Sequence, residues 1–341
     1  TDETEGSSNN SNSSQNVPLY DIKDVPGKGR GLIARCDILK GTLVLVEKPL
    51  VIVPPIPSPA FIPAVEEALK WNIADQLRQL SKEQVRQFLS LHNNHRGQEL
   101  HPFLGIAQTN ALPCGPDSST GALYATACLI NHSCRPNCGH SWNSEVKHET
   151  IYAIRDIAAG EEITIGYLES GSQAERAKSL KASFGFDCAC ELCRLPAAEL
   201  RASDDRRAKM KQLDRAIGTP PRMAFQPREC LHDCHSLLQL LDAEYPGSAT
   251  ALHARAYHDA FQICIAHGDQ ARARIFAERS YEMNVLCGGE DSPETKNAKY
   301  LALRPADHPA FAMCSKNWMT SRNMVKKGVS AERFERWLWR E

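Results

Sequence analysis

The densest chemistry in this chain is a run of three cysteines. Cys188, Cys190 and Cys193 form the pattern C-x-C-x-x-C. Thiols this close cannot all pair with one another as disulfides. They can all face one tetrahedral Zn²⁺ if a fourth ligand arrives from elsewhere. Cys134 is the expected donor, in the phrase Asn131-His132-Ser133-Cys134-Arg135-Pro136-Asn137-Cys138, and Cys138 is its rival. Four sulfurs leave no open position for water or substrate. Such a zinc would be structural, and zinc hydrolase chemistry is disfavoured. The alternative is three unligated thiols on a loop.

Other groups of polar residues read more plainly. Glu161 and Glu162 follow Gly160. They are expected to fix a strand entry through hydrogen bonds or ion pairs, not to act as acid and base. Cys230, His232, Cys234 and His235 could suggest a second metal site. Cys230 and Cys234 lie four apart beside Leu231, Leu237 and Leu238, however, so helix packing is the expectation. Arg201 to Lys211 mixes basic residues with Asp204 and Asp205. It reads as a solvated helix or linker face, with nucleic-acid contact as the minority reading.

The elements that must hold these residues change character along the chain. Its 341 residues allow two domains at roughly 100–200 residues each. Forty basic against 41 acidic side chains exclude a uniformly basic nucleic-acid-binding surface. No run of about 18 apolar residues exists, so a membrane-spanning helix is not expected. Thirteen cysteines, an odd number and mostly single in apolar contexts, suggest reduced thiols in an intracellular protein. The chain opens on Thr1, which leaves room for a trimmed segment upstream. Residues 1–16 carry no apolar side chain and are expected to be disordered, and the sequons at Asn9 and Asn12 to be unglycosylated.

From Tyr20 to Val53 the texture is β. Gly27-Lys28-Gly29-Arg30-Gly31 makes a turn, and Leu43–Val46 and Leu50–Val53 make strands. A proline-rich connector over 54–63 leads into a helical stretch over 64–92, with a capping box at Ser81 and Gln84. Helical periodicity is poor from 107 to 162, where Ile151–Ile154 and Glu162–Ile165 read as strands. A short helix is expected over 173–184. Beyond Pro196 the chain turns helical, with helices over 229–244, 249–267, 270–287, 293–303 and 331–339. The domain boundary is placed around 196–225.

Four motifs in this order carry a resemblance. They are Lys28-Gly29-Arg30-Gly31-Leu32, then Asn131-His132-Ser133-Cys134-x-Pro136-Asn137, then Gly160-Glu161-Glu162-Ile163-Thr164-Ile165-x-Tyr167, then the C-x-C-x-x-C run. Together they resemble the SET and post-SET arrangement of lysine methyltransferases, over roughly residues 17–196. The texture is similar to the SMYD-like branch and to SET proteins of filamentous fungi, which share the phrases Leu91-His92-Asn93 and Thr109-Asn110-Ala111-Leu112-Pro113. No Cys occurs between 37 and 113, so the zinc-binding MYND module of SMYD proteins is absent.

The resemblance implies an α+β fold. A β-rich SET core over 17–185, with a helical insert over about 59–106, would be closed by a post-SET zinc turn over 186–196. A C-terminal α-helical domain over 197–341, with helix pairs resembling tetratricopeptide stacks, would follow. It implies S-adenosylmethionine as methyl donor and a lysine amine as acceptor. Tyr167 would be the catalytic tyrosine at the junction of the two pockets. A change to Phe would cost about 100-fold in rate if its donor acts in the transition state. Lys28, Gly29, Arg30, Asn110, Asn131, His132, Tyr167 and Phe186 would contact the cofactor. Phe184 and Cys128 would line the substrate channel. Phe184 stands where many SMYD-like proteins have a second tyrosine, and the lost hydroxyl would leave room for di- or trimethylation. The expected partner is a protein substrate, histone or not, with no nucleic acid and no membrane. The expected state is a monomer in the nucleus or cytoplasm. The rival readings are an inactive scaffold binding partners through its helices, and a methyltransferase of a small-molecule amine.

Overall fold

The computed structural model describes residues 17–55, 63–97, 99–115, 118–168 and 171–341. The expected polar tail lies outside them, as does most of the proline-rich connector.

β1 (Tyr20–Val25) and β2 (Gly29–Ala34) form an antiparallel hairpin with Val25 opposite Gly29. Its turn needs positive φ at Gly27 and Gly29, both at 73°, which residues with a Cβ rarely adopt. β3 (Leu43–Glu47) and β4 (Val51–Val53) follow. Next come three helices, α1 (Pro63–Arg78), α2 (Lys82–Leu89) and α3 (Pro102–Asn110). The helical stretch expected over 64–92 is two helices, because the capping box at Ser81 starts a new one. The Ser81 side chain accepts from the Gln84 amide while the Gln84 side chain accepts from the Ser81 amide. The third helix begins inside the expected helical insert of about 59–106 and runs on into the stretch read as poor in helical periodicity. Leu104, Gly105, Ile106, Ala107 and Thr109 are all buried, so no polar face marks the period.

Short strands complete the β part: β5 (Leu112–Pro113), β6 (Gly121–Leu123), β7 (Asn131–His132), β8 (Cys138–Asn143), β9 (His148–Ala153) and β10 (Glu162–Ile165). They build three small sheets, ordered β1-β2-β10-β7, β3-β9-β8 and β4-β6-β5. Leu32, Val51, Leu123, Ile151 and Ile163 meet in one apolar core, with Ile73 of α1 and Phe88 of α2 packed into it.

α4 (Gln173–Phe184) ends on Gly185, whose φ of 79° stops the helix. The cysteine-rich turn follows, and then α5 (Ala197–Ile217). This 21-residue helix bears out the helix reading of 201–211 over the linker: Arg201, Asp205, Lys209 and Lys211 are exposed, while Ser203 and Arg207 turn inward. Ser203, Arg207, Met210, Leu213 and Ile217 form one buried stripe. Two of these five are polar, which hides the amphipathic pattern. α6 (Pro220–Phe225), α7 (Pro227–Glu244), α8 (Ala251–Ala266), α9 (Gln270–Gly288), α10 (Pro293–Leu303) and α11 (Ala331–Trp339) build a second core. Its centre holds Cys230, Cys234, Phe261, Cys264, Phe276 and Trp339. Cys230 and Cys234 are therefore packing residues, as expected. No described helix is long and apolar enough to cross a membrane.

The helical part is bonded to the β part. The Ala249 amide donates to Ile154 O at 2.8 Å, and Lys40 Nζ reaches Gly247 O at 3.0 Å. Asn143 Nδ2 donates to Asp291 O at 3.2 Å.

Candidate active site and cysteine cluster

β7 and β10 run parallel, with Asn131 beside Thr164 and His132 beside Ile165. This pairing joins motifs some thirty residues apart in sequence. The Tyr167 amide then donates to His132 Nδ1 at 3.0 Å. Burial pushes His132 down to about 4, so the ring is neutral near pH 7. With Nδ1 accepting, the proton sits on Nε2, which lies 3.3 Å from Cys134 Sγ. His132 thus links the candidate active-site tyrosine to the cysteine cluster.

The Tyr167 hydroxyl donates to Ile130 O at 2.7 Å, and burial raises its phenol above the ordinary range. The expectation that this donor acts on the reacting groups needs correction, because its proton is held by a backbone carbonyl. What Oη retains is lone-pair density. Around Tyr167 stand Phe184, His132 and Phe186, with ring centroids 4.8, 5.2 and 6.5 Å away. The Cys128 thiol donates to Asn110 O at 3.3 Å and accepts from the Tyr124 amide at 3.2 Å. Burial pushes that thiol up to about 12, so it stays protonated.

The glycine turn closes this region from one side. Asn131 Nδ2 donates to Arg30 O at 3.2 Å and to Glu162 Oε1 at 2.9 Å. A Cβ on Gly31 would sit 2.7 Å from that Nδ2, so the close approach requires glycine there. Lys28 pairs with Glu162 at 2.6 Å, and Arg30 Nη2 donates to Ser90 O at 2.7 Å. Nothing lies within 4 Å of a Cβ built on Gly29, so the turn's outer surface is open. Asn110 is set by bonds from Nδ2 to His92 O at 2.6 Å and Ile106 O at 2.7 Å. Glu161 meets Arg155, and Asn137 Nδ2 bonds Glu161 Oε1 at 2.9 Å and Glu162 O at 2.8 Å. Burial opposes the Glu161 charge, but Arg155 and Asn137 outweigh it and hold the carboxyl low. Both glutamates brace the strand entry, as expected.

The sulfurs of Cys134, Cys188, Cys190 and Cys193 lie within 4.8 Å of one another. Cys138 is instead buried in the β core, at 1% exposure, and is not the fourth ligand. Contacts among the four thiols draw Cys190 and Cys193 below the ordinary thiol range, Cys193 to about 7, and push Cys134 and Cys188 above it. Arg176 supports a charged cluster. It is 2% exposed, and its Nε and Nη2 have no hydrogen-bond partner among the described residues. Burial disfavours its charge, yet Cys134 and Cys193 hold its pKa up. A buried guanidinium with two idle donors suits metal-bound thiolates better than neutral thiols. The donor set and its surroundings therefore fit a metal ion.

Three residues escaped the sequence reading. Arg176 sits unmarked in a helix. Arg207 Nη2 donates to Cys134 O at 2.8 Å from the buried stripe of α5. Asn94 Nδ2 donates to Ser183 O at 3.3 Å, and its Oδ1 would lie 2.0 Å from a Cβ on Gly185. Its only signal was the neighbouring phrase Leu91-His92-Asn93.

A sequence profile described as "SET domain" matches residues 29–168. Histone-lysine N-methyltransferase set5 of Schizosaccharomyces pombe is 34% identical over 298 residues, 85% of each chain. The chain belongs to the SET-domain methyltransferase family. Histone-lysine N-methyltransferase SMYD3 of Homo sapiens is similar over a shorter stretch, 43% identical over 72 residues, which is 21% of this chain and 16% of that protein. Histone-lysine N-methyltransferase SET5 of Meyerozyma guilliermondii is 32% identical over 142 residues, 41% of this chain and 26% of that protein. The SET-domain match ends at Leu168. Phe184, Phe186 and three of the four clustered cysteines lie beyond it, yet fold back onto its Asn131–Cys134 segment.

Proposed function

We propose that this SET-domain protein transfers a methyl group from S-adenosylmethionine to a lysine side chain of a protein. The observation that carries the reading is the parallel pairing of β7 and β10, which sets Asn131 and His132 against Tyr167 inside an aromatic cluster. When bound, S-adenosylmethionine supplies a sulfonium-activated methyl for in-line transfer to an amine, leaving a neutral thioether. Lys28, Gly29, Arg30, Asn110, Asn131, His132, Tyr167 and Phe186 would hold it. Phe184 and Cys128 would line the amine channel. The rings of Tyr167, Phe184 and Phe186 exclude water and disfavour a charged ammonium, which biases an entering lysine toward its neutral, nucleophilic form. Tyr167 Oη, its own proton committed to Ile130, offers electron density to the partial positive charge of a methyl in transit.

A structural Zn²⁺ on Cys134, Cys188, Cys190 and Cys193 would pin the chain after Phe186 beneath His132. On this reading residues 17–185 are the SET domain, 186–196 the post-SET turn and 197–341 a helical domain. The chain would work as a monomer in the nucleus or cytoplasm. Histones are the first substrates to try, because the relatives are named histone-lysine N-methyltransferases.

The test is transfer of labelled methyl from S-adenosylmethionine into histones and into a native cell extract, with protein and small-molecule fractions counted separately. Label in protein that is lost with Tyr167→Phe supports the proposal. Label confined to small molecules, or none in a folded, metal-loaded protein, defeats it.

A further inference from the structure

A second site of strong character lies outside everything described so far. Where α7 and α9 begin and α11 ends, a groove of about 460 Å³ is lined by Arg228, Arg272, Lys326, Arg333, Arg336 and Arg340, with Trp337 among them. Six cations gather there in a chain whose net charge is -1. Against them stand three acids: Asp269 pairs with Arg272 and Arg340, Glu332 pairs with Arg336, and Glu341, which also lines the groove, is bound to His235, so only half of that charge is matched. Arg228, Lys326 and Arg333 are exposed and have no acidic partner among the described residues.

The groove is built in two tiers. Its inner pair is fixed. Asp269 is fully buried and holds both Arg272 and Arg340. Arg272 also donates from Nε to Trp337 O at 2.7 Å, with its guanidinium 4.5 Å from the Trp337 ring centroid. Arg340 lies 3.8 Å over the Trp318 ring centroid. Its Nε is buried with no partner among the described residues. Two guanidiniums are therefore pre-positioned on aromatic planes, while the exposed cations at the rim are free to close on a ligand. Self-repulsion among so many cations is destabilising unless an anion relieves it.

From this arrangement we infer that the groove binds a small ligand carrying several phosphates close together. Five of the six cations are arginine, whose planar fork matches phosphate oxygens two at a time, where lysine acts as a point charge. The space is compact. A carboxylate-bearing peptide spreads its charges along an extended chain, and a duplex spreads its phosphates along a rod. Phosphates mounted on one ring or one short chain concentrate charge on the scale of this groove. None of the candidate active-site residues lines it, so the inference stands apart from the methyltransfer proposal.

The test is calorimetric titration of the full chain with inositol hexakisphosphate and with tripolyphosphate at about 0.1 M salt, where long-range attraction is screened. Three further probes are phosphatidylcholine vesicles containing phosphatidylinositol bisphosphate, a short DNA duplex, and polyglutamate. Saturable one-site binding of the small polyphosphates is expected. The combined variant Arg228→Ser, Lys326→Ser and Arg333→Ser should weaken it about 100-fold, each charge-assisted contact counting for about tenfold and exposure reducing the sum. These side chains are exposed and unpaired, so the melting temperature of the free protein should not fall, and relief of self-repulsion should raise it if it moves at all. Arg228→Lys with Arg333→Lys keeps the charge but removes the fork, and should show an intermediate loss. Vesicle binding alongside the free ligands would identify a lipid headgroup as a source, and its absence would favour the free ligand. Equal binding by DNA or polyglutamate, no binding of the small polyphosphates, or affinity indifferent to the variants would overturn the inference.

Discussion

Replacing Tyr167 by Phe removes one oxygen atom, and the structure gives that atom two separable roles. The first is structural. Oη donates to Ile130 O at 2.7 Å, and Ile130 is only 1% exposed. Removing the donor strands a buried carbonyl, at about 1–3 kcal/mol of stability. The second role is electrostatic. With its proton held by Ile130, the oxygen presents fixed negative density inside the aromatic cluster. A preorganised group aimed at developing charge is worth about 2.7–4 kcal/mol, or roughly 100- to 1000-fold in rate. The two roles predict different readouts. Stability should fall slightly in a denaturant titration. Single-turnover methyl transfer at saturating cofactor should fall by at least about 100-fold, while cofactor affinity changes only a few-fold. Turnover within about threefold of wild type, with only the stability loss present, would refute the electrostatic role. The hydroxyl would then be a strut for Ile130 and nothing more.

Three further perturbations test other parts of the argument. One metal ion per chain should be found by elemental analysis. Cys190→Ser should abolish it, and Arg176→Met should weaken its retention about tenfold, as loss of an outer partner does in other sites; metal content that survives Cys190→Ser would break the ligand assignment. Glu244 is fully buried and accepts from Ser203 Oγ at 2.7 Å, Arg207 Nε at 2.8 Å and Arg206 Nε at 2.9 Å. Glu244→Ala leaves Arg207 buried and unpaired, and should cost about 3–5 kcal/mol in a denaturant titration; a loss near zero would mean Arg207 finds another partner. Burial raises Asp259 to about 6, with Arg255 opposing and the Cys234 thiol nearby. Its native pKa exceeds its unfolded one, so the folded state binds more protons between about pH 4 and 6. Its stability contribution is fully present below that window and is lost as pH rises through it. Asp259→Asn should therefore raise the melting temperature at pH 8, by up to about 3 kcal/mol in equivalent stability, and flatten that slope; an unchanged pH profile would remove Asp259 from the account.

The parts of this molecule legible in sequence are those where one residue type has one physical use. Clustered cysteines need a common partner, so Cys188, Cys190 and Cys193 pointed to a fourth sulfur before any fold was known. Choosing Cys134 over Cys138 was harder. The two are four residues apart, and only the turn after β7 decides which side chain enters the cluster and which enters the core. Gly27 and Gly29 marked their turn because few other residues tolerate its backbone. Ser81 and Gln84 marked a helix start, and a start at Ser81 ends whatever helix comes before it. What stayed hidden was polar chemistry inside buried faces. α5 looked solvated because Ser203 and Arg207 occupy its inner stripe, and α3 looked irregular because it is buried nearly all round. The same cause hid Arg176. A buried arginine is indistinguishable from a surface one until its surroundings are known, and here they are Gly171 O, Asp204 and the clustered sulfurs. The residues that tie the cysteine cluster to the helices, Arg207 and Glu244, thus form a set that pattern reading passes over. Arg207 bonds the Cys134 carbonyl on one side and the Glu244 carboxylate on the other, both across elements, and no local period records such a match.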